Sequence, residues 1–397
     1  MRILHVVTAF PRFPNDVISP WLVELLKRLK ARGHEVEVFT SAYKGGGGNE
    51  FAGIPVHRFR YFPAAVEDLT HEEGAHDRMG RSVRHKFMPA FYLAAGLPAI
   101  WRLARRRPYD IIHVHWPLPH MLFGWAAQRA TGRSARIVTT WYGVELRWVK
   151  SSLKFLEGFV RRALRKSDEV VAISSATARE IASIEPVPVR VIPYGIGFPE
   201  VAAARRATAD GTFTILFVGG LLERKGVTHL VDAVRRLPGR LRWRLVLVGE
   251  GPDLADLQAQ ARAGGIEDRV EFRGQVPDAE LHAAYSAADV FVLPAVVDSR
   301  GDTEGLGVVL LEAMNYHLPV IASGLGGITD IVVHEKTGLL VPQRDPQALA
   351  DALLRIADDP ALAARLAEGG HQHAQRNFSW EVITDRWEEC YADAVKK

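Results

Sequence analysis

Short runs of β-branched and other apolar residues alternate, almost from end to end of the chain, with segments whose apolar positions recur every three or four residues. The short runs predict strands at residues 3–8, 35–40, 111–115, 136–140, 169–173 and 189–192, and after a break at 214–218, 244–248, 270–272, 290–293 and 320–322. The longer period predicts helices between them, such as 21–32 and 254–263, with Gly33 and Gly264 as C-terminal stops. Strand–helix alternation of this kind builds parallel, doubly wound sheets, and two successive runs of it predict two α/β domains. The apolar periodicity lapses between Pro199 and Thr212, where Ala, Arg, Asp and Gly take over, so a linker is expected there. The expected division is a first Rossmann-like domain over 1–204, a second over 212–377, and a C-terminal segment over 378–397. In that last segment Phe378, Trp380, Val382, Ile383, Trp387 and Tyr391 trace one amphipathic helix, which could cross back to the first domain. Lys44 to Asn49, with four glycines, reads as a loop inside the first domain.

Composition narrows this picture without redrawing it. With 397 residues, 48% hydrophobic and 24% charged, the chain is long enough for two cores and has a globular balance. No run of about 20 uncharged apolar residues offers itself as a membrane span. The N-terminal Met1-Arg2-Ile3-Leu4-His5-Val6-Val7 reads as a strand, not as a secretory leader. Cys390 is the only cysteine, which rules out an internal disulfide and a multi-cysteine metal site, and suits a cytoplasmic protein. The formal net charge of +4 is modest but unevenly placed. Arg78, Arg81, Arg84, Lys86, Arg102, Arg105, Arg106 and Arg107 lie in one stretch without an acidic residue, interleaved with Phe87, Phe91, Tyr92, Leu97, Ile100 and Trp101. Two readings stand for this stretch: a surface helix whose apolar stripe faces the core, or a patch that rests on anionic lipid or holds an anionic acceptor. No groove-reading motif points to nucleic acid.

In open parallel sheets ligands bind beyond the C-terminal strand ends, so the chemistry is expected in strand-to-helix loops. The strongest signal there is Thr303-Glu304-Gly305-Leu306-Gly307-Val308-Val309-Leu310-Leu311-Glu312, after the buried run at 290–294. Glycines allow close backbone approach to a ligand, and a helix N-terminus offers donors and partial positive charge to phosphate. Either glutamate alone would pass as an ordinary helix or cap-region acid. Eight helical residues would separate the two by about 12 Å, wider than the roughly 5–9.5 Å of a hydrolytic carboxylate pair. That spacing favours a clamp on the two ends of a long ligand, with a ribose diol at one end and hexose hydroxyls at the other.

A second signal is Phe217-Val218-Gly219-Gly220-Leu221-Leu222-Glu223-Arg224-Lys225-Gly226, a glycine turn followed by adjacent cations able to hold a diphosphate. Val248-Gly249-Glu250-Gly251 reads as a structural turn, because no third glycine follows at dinucleotide spacing. A P-loop and an Asp-x-Asp metal pair are both missing from the sequence. His113 and His115 alternate on a strand end and read as core or cleft-lining residues, so no metal ligands are assigned.

These residues resemble the retaining GT-B glycosyltransferases of the large family four. Glu304 and Glu312 match that family's E-x7-E element, followed by Leu318-Pro319-Val320-Ile321-Ala322 and Gly326-Gly327-Ile328. Arg32-Gly33-His34-Glu35-Val36 and Lys336-Thr337-Gly338-Leu339-Leu340 extend the resemblance over essentially the whole chain. The resemblance implies two facing Rossmann-like domains and transfer of a hexose-type sugar from a nucleotide diphosphate donor, a UDP- or GDP-sugar. It implies retention of configuration, no required cofactor or metal, and a place in polysaccharide, glycolipid or other glycoconjugate synthesis. Glu312 would bind the ribose hydroxyls, and Glu304 with Gly305, Leu306, Gly307 and Val308 the transferred sugar. Lys225, with Arg224 and the Gly220 turn, would address the diphosphate.

The chain departs from the family at three points. Gly220 stands where an Arg is usual, Tyr142 where a first-domain His is usual, and Pro14-Asn15-Asp16-Val17 where a Gly-Gly loop follows the first strand. His115, Tyr142 and Asp16 are therefore the acceptor-side candidates, the acceptor being a sugar, a lipid-linked or a small molecule. Rival functions are a phosphorylase on the same scaffold and a nucleotide- or carbohydrate-binding protein with altered catalysis.

Overall fold

The computed structural model describes residues 1–16, 18–71, 82–196 and 211–397. Arg78, Arg81 and nearly all of the expected linker lie outside the described residues. The chain divides into two compact units, Met1–Ile173 with Ala178–Ile192 and Ile383–Lys397, and Ser174–Thr177 with Pro193–Val382.

The sheet of the first unit contains β1 (Arg2–Val6), β2 (Glu35–Ser41), β3 (Glu50–Phe51), β4 (Ile54–Phe59), β5 (Ile111–His115), β6 (Arg136–Trp141), β7 (Glu169–Ala172) and β8 (Arg190–Val191), in the order β3-β4-β2-β1-β5-β6-β7-β8. All its pairings are parallel except β3 with β4. The second unit has β9 (Phe213–Val218), β10 (Trp243–Val248), β11 (Val270–Gly274), β12 (Val290–Leu293), β13 (Val320–Ser323) and β14 (Leu339–Val341), all parallel, in the order β11-β10-β9-β12-β13-β14. Both are the doubly wound sheets that the alternation predicts. Their strands are buried on both faces, as Ile3, Leu4, Ile111, Ile112, Phe217, Leu245, Phe291 and Ile321 show.

Three strands escaped the pattern. β3 and β4 carry Glu50, Pro55, His57 and Arg58, which break an apolar run, and β14 is only three residues long. Helix ends also moved slightly. The predicted stop at Gly264 is really the pair Gly264-Gly265, and Gly265 takes the left-handed backbone (φ +62°). The predicted single C-terminal helix is the last of two, Pro360–Phe378 and Trp380–Lys396, separated by Ser379. The end of the chain belongs to the first unit. The Tyr391 hydroxyl meets Nδ1 of His113 at 2.9 Å, and Glu388 pairs with Arg32 at 2.6 Å and His34 at 2.8 Å.

Within the described part of the basic stretch, Val83–Arg106 forms one helix. Although it lacks 20 uncharged residues in a row, it is the one helix among the described residues long and apolar enough to cross a membrane by length and composition.

In each sheet the strand order reverses once beside the first strand, between β1 and β5 and between β9 and β12. The loops leaving those strands diverge to opposite sides and open a crevice at the C-terminal strand ends. The candidate chemistry sits on these loops.

Candidate donor and acceptor sites

In the second unit the loop leaving β9 turns through Gly219 (φ +148°) and ends at Gly226 (φ +67°). A Cβ on Gly226 would lie 2.0 Å from the Pro294 carbonyl oxygen, so only glycine lets this loop press against the end of β12. The Val296 amide donates to the Arg224 carbonyl at 2.9 Å, and the Glu223 carboxylate accepts from the Ser299 amide and hydroxyl. The two loops flanking the reversal are thereby tied, and Arg224 and Lys225 are delivered to the 294–307 loop.

That loop carries Glu304, and the helix begins only at Val308, after Gly307 with φ +89°. Glu304 therefore sits in the loop ahead of the helix, so the separation expected of eight helical residues does not apply to it. Gly326 and Gly327, in the turn after β13, lie so close beneath that a Cβ would come within 2.4 Å of the Glu304 carbonyl or 2.1 Å of the Gly305 carbonyl. The glycines of this turn are thus a bed for the Glu304–Gly307 backbone.

Lys225 Nζ and Glu304 Oε2 form an ion pair, with side chains only 11% and 12% exposed. Arg224 Nη1 lies 3.6 Å from the same oxygen and its Nε 4.0 Å from Asp302. Glu312, on the helix Val308–Asn315, accepts a 2.8 Å hydrogen bond from the Tyr285 hydroxyl. Burial holds its carboxyl above the usual range, with Tyr285 and the charge of Lys225 pulling the other way. Lys225 is thus directly paired with one glutamate and within electrostatic reach of the other.

Tyr285 stacks on Tyr316 at 5.1 Å, and Tyr316 is bonded in turn to His282. Nothing in the sequence marks this aromatic support as part of a site. Gly220 carries no side chain toward the cluster. Its backbone neighbour Leu221 instead bonds Glu250, and Gly251 packs with its Cα side against Leu221.

In the first unit His5 on β1 is opposite His113 on β5, and His115 follows two residues later on the same face. His113 and His115 stack at 4.0 Å. His115 bonds the Tyr142 hydroxyl through Nδ1 at 2.7 Å and His5 through Nε2 at 3.1 Å. Trp116, in left-handed backbone (φ +48°), stacks on Tyr142 at 4.1 Å. The structure brings His115 and Tyr142 together, whereas Asp16 is tied to Arg12 at 2.6 Å.

Among the described residues His5, His113 and His115 are the one set whose ligand atoms converge, within 4.8 Å of one another. Desolvation keeps all three neutral, that of His5 down to about 3. Their nitrogens are nonetheless largely spent on Thr140, Tyr391, Tyr142 and each other. Close by, the Glu145 carboxylate accepts from the Tyr142 amide at 2.8 Å, and burial pushes its carboxyl up to about 7.

Residues 201–373 match the family described as Glycosyl transferases group 1, and residues 19–197 match Glycosyltransferase Family 4. The chain is 29% identical over 399 residues, 96% of each chain, to a GDP-mannose-dependent alpha-(1-6)-phosphatidylinositol monomannoside mannosyltransferase of Mycobacterium tuberculosis. It is 33% identical over 276 residues to the protein of the same name from Mycolicibacterium smegmatis, covering 66% of this chain and 71% of that one. It is also 26% identical over 406 residues to an N-acetyl-alpha-D-glucosaminyl L-malate synthase of Bacillus anthracis, covering 100% of this chain and 98% of that one. Among solved structures, a sucrose-phosphate synthase from Thermosynechococcus elongatus shares the fold with a TM-score of 0.75 at 24% identity, over 98% of both chains. Anabaena HepE in complex with UDP and glucose shares it with a TM-score of 0.70 at 20% identity, over 99% of both chains. The chain belongs to glycosyltransferase family 4, of the group 1 type, and is a transferase with the two parallel-sheet α/β domains of the GT-B fold.

Proposed function

We propose that this transferase moves a hexose from a UDP- or GDP-sugar to an acceptor with retention of configuration, in the synthesis of a glycolipid, polysaccharide or other glycoconjugate. The observation that carries this reading is the Lys225–Glu304 pair, with Arg224 beside it and Glu312 within reach, at the strand-order reversal of the second unit. Two cations meet the diphosphate. Glu312, steadied by Tyr285, accepts from the ribose hydroxyls, and Glu304 with the Gly305–Val308 backbone accepts from and donates to the hexose. The relatives named as GDP-mannose-dependent and the HepE complex with UDP support this class of donor.

Retention follows if the acceptor oxygen attacks the anomeric carbon on the face from which the phosphate leaves. The C–O bond to phosphate breaks, the acceptor C–O bond forms, and the acceptor's proton passes to the departing phosphate oxygen. Negative charge grows on the diphosphate as this happens, so a cation that moves from Glu304 to phosphate stabilises the transition state more than the ground state. The acceptor is assigned to the first unit, with His115 and Tyr142 as its candidate contacts. No step calls for a metal. The reading places the enzyme in the cytoplasm, which a chain with one buried cysteine and no disulfide suits.

Thermal stabilisation by UDP, GDP and ADP, followed by turnover with the matching sugar nucleotides and determination of the product anomer, tests the proposal. Stabilisation by UDP or GDP and a product of unchanged anomeric configuration are expected. An inverted product overturns retention. Nucleotide binding without transfer to any acceptor would favour a binding protein, for which the Tyr142 and Gly220 departures speak.

A further inference from the structure

The helix Val83–Arg106 has two unlike faces. Its inward face is committed to the first unit: His85, Met88, Tyr92, Gly96, Ile100 and Ala104 are buried. Tyr92 packs on Phe59 at 5.0 Å and its hydroxyl bonds His120 at 2.9 Å, while a Cβ on Gly96 would come within 2.6 Å of the Phe123 ring. Such a helix cannot leave the protein to span a bilayer without stripping that contact.

The opposite face is apolar and open. Val83, Phe87, Phe91 and Trp101 are 69%, 64%, 52% and 38% exposed, and Ala90, Ala94 and Pro98 continue the stripe between them at helical spacing. Large apolar side chains aligned from Val83 to Trp101 are not a scatter of single surface hydrophobes, and a contiguous exposed patch of this kind marks a docking surface.

Charge says what docks there. The helix contains no acidic residue, and its exposed cations Lys86, Arg102, Arg105 and Arg106 make no ion pair among the described residues. By contrast, Arg84 is held by Asp68 at 2.9 Å, and Arg107, just past the helix, by Glu37 at 2.9 Å. A second copy of the chain would bring the same cations against these, whereas an anionic surface that accepts aromatic side chains satisfies both halves of the face.

We propose that this helix lies in the plane of an anionic lipid surface, with Phe87, Phe91 and Trp101 at the headgroup–acyl boundary and Lys86, Arg102, Arg105 and Arg106 among the headgroups. This goes beyond the transferase reading: it assigns the first unit a membrane-facing side, as an enzyme drawing a lipid-linked acceptor would need, yet it is measured without turnover.

The test is co-sedimentation of the full chain with phosphatidylcholine vesicles, with and without phosphatidylglycerol, at low and high salt. Recovery with the anionic vesicles that fades as salt rises is expected. Each interfacial cation contributes about fivefold to partitioning, so the triple variant Arg102→Gln, Arg105→Gln, Arg106→Gln should bind roughly 100-fold more weakly. Phe87→Ser with Trp101→Ser should lower recovery at both salt concentrations. Unchanged thermal unfolding and nucleotide binding show that the variants fold, since none of these residues touches the donor site. Equal recovery with neutral vesicles, or full binding by the triple variant, overturns the proposal. So does a wild-type dimer in sedimentation velocity that the Phe87/Trp101 variant abolishes, because the face would then belong to a second copy.

Discussion

Replacing Glu304 with Gln should tighten the binding of free UDP or GDP while suppressing sugar transfer. Lys225 is neutralised by Glu304, and both side chains are largely withdrawn from water. A diphosphate that reaches Lys225 must share it with a carboxylate of like charge. At a separation of about 6 Å and an effective dielectric of about 20, that repulsion is near ~3 kcal/mol. Residual exposure and salt bring it to about 1–2 kcal/mol, or roughly 5- to 30-fold in affinity. A nucleoside diphosphate has no hexose, so it loses nothing when Glu304 goes. The sugar nucleotide does lose a charge-assisted hydroxyl bond, worth about 1.5–3 kcal/mol, which cancels its gain. Isothermal titration of wild type and variant with UDP and GDP at two salt concentrations measures the effect, and the variant's advantage must shrink as salt rises. The companion Lys225→Met leaves the carboxylate with only Arg224, 3.6 Å away, and should lower stability by about 2–4 kcal/mol, between an exposed and a fully buried pair. Unchanged or weaker nucleoside diphosphate affinity in a folded Glu304→Gln protein would refute the reasoning, because the diphosphate could not then be competing for Lys225.

Glu312→Ala should weaken nucleoside diphosphate binding by about 1.5–3 kcal/mol and Tyr285→Phe by about 1 kcal/mol, both read by titration; no change in either removes the ribose assignment. Burial raises the Glu145 carboxyl from 4.5 to about 7, so the folded state holds a proton that the unfolded state has released across that window. This contribution, up to about 3 kcal/mol, is present below pH 4.5 and is lost as pH rises through 7. Denaturant unfolding from pH 4 to 8 should show that slope in wild type and a flatter one in Glu145→Gln. Transfer measured in excess chelator should equal that of untreated enzyme; a loss restored by a divalent metal would move attention to His5, His113 and His115.

The local requirements of both domains were open to reading along the chain. Strand and helix periods are properties of neighbouring residues, so the two doubly wound sheets, the loops that carry Lys225 and Glu304, and the helix that carries Glu312 could be placed from spacing alone. Turn glycines speak locally too, although the duty of Gly326 and Gly327 as a bed for Glu304 depends on a carbonyl more than twenty residues away. β4 and β14 stayed hidden because polar residues or shortness erase the period-2 signal.

The partners of the site residues are another matter. Lys225 meets Glu304 across 79 residues, Tyr285 meets Glu312 across 27, His5 meets His115 across 110, and His113 meets Tyr391 across 278. Each of these pairs depends on how strands pair, helices pack and loops converge, and no periodicity encodes it. The same holds for the Val83–Arg106 helix. Its sequence is apolar on more than one side, so the pattern left open which face the core would take. Packing against Phe59 and Phe123 decided that Tyr92 and Gly96 go inward and Phe87 and Trp101 stay in water. Sequence determined the elements because backbone preference and side-chain period act over a few residues; tertiary structure decided the pairings because burial and charge neutralisation act through space.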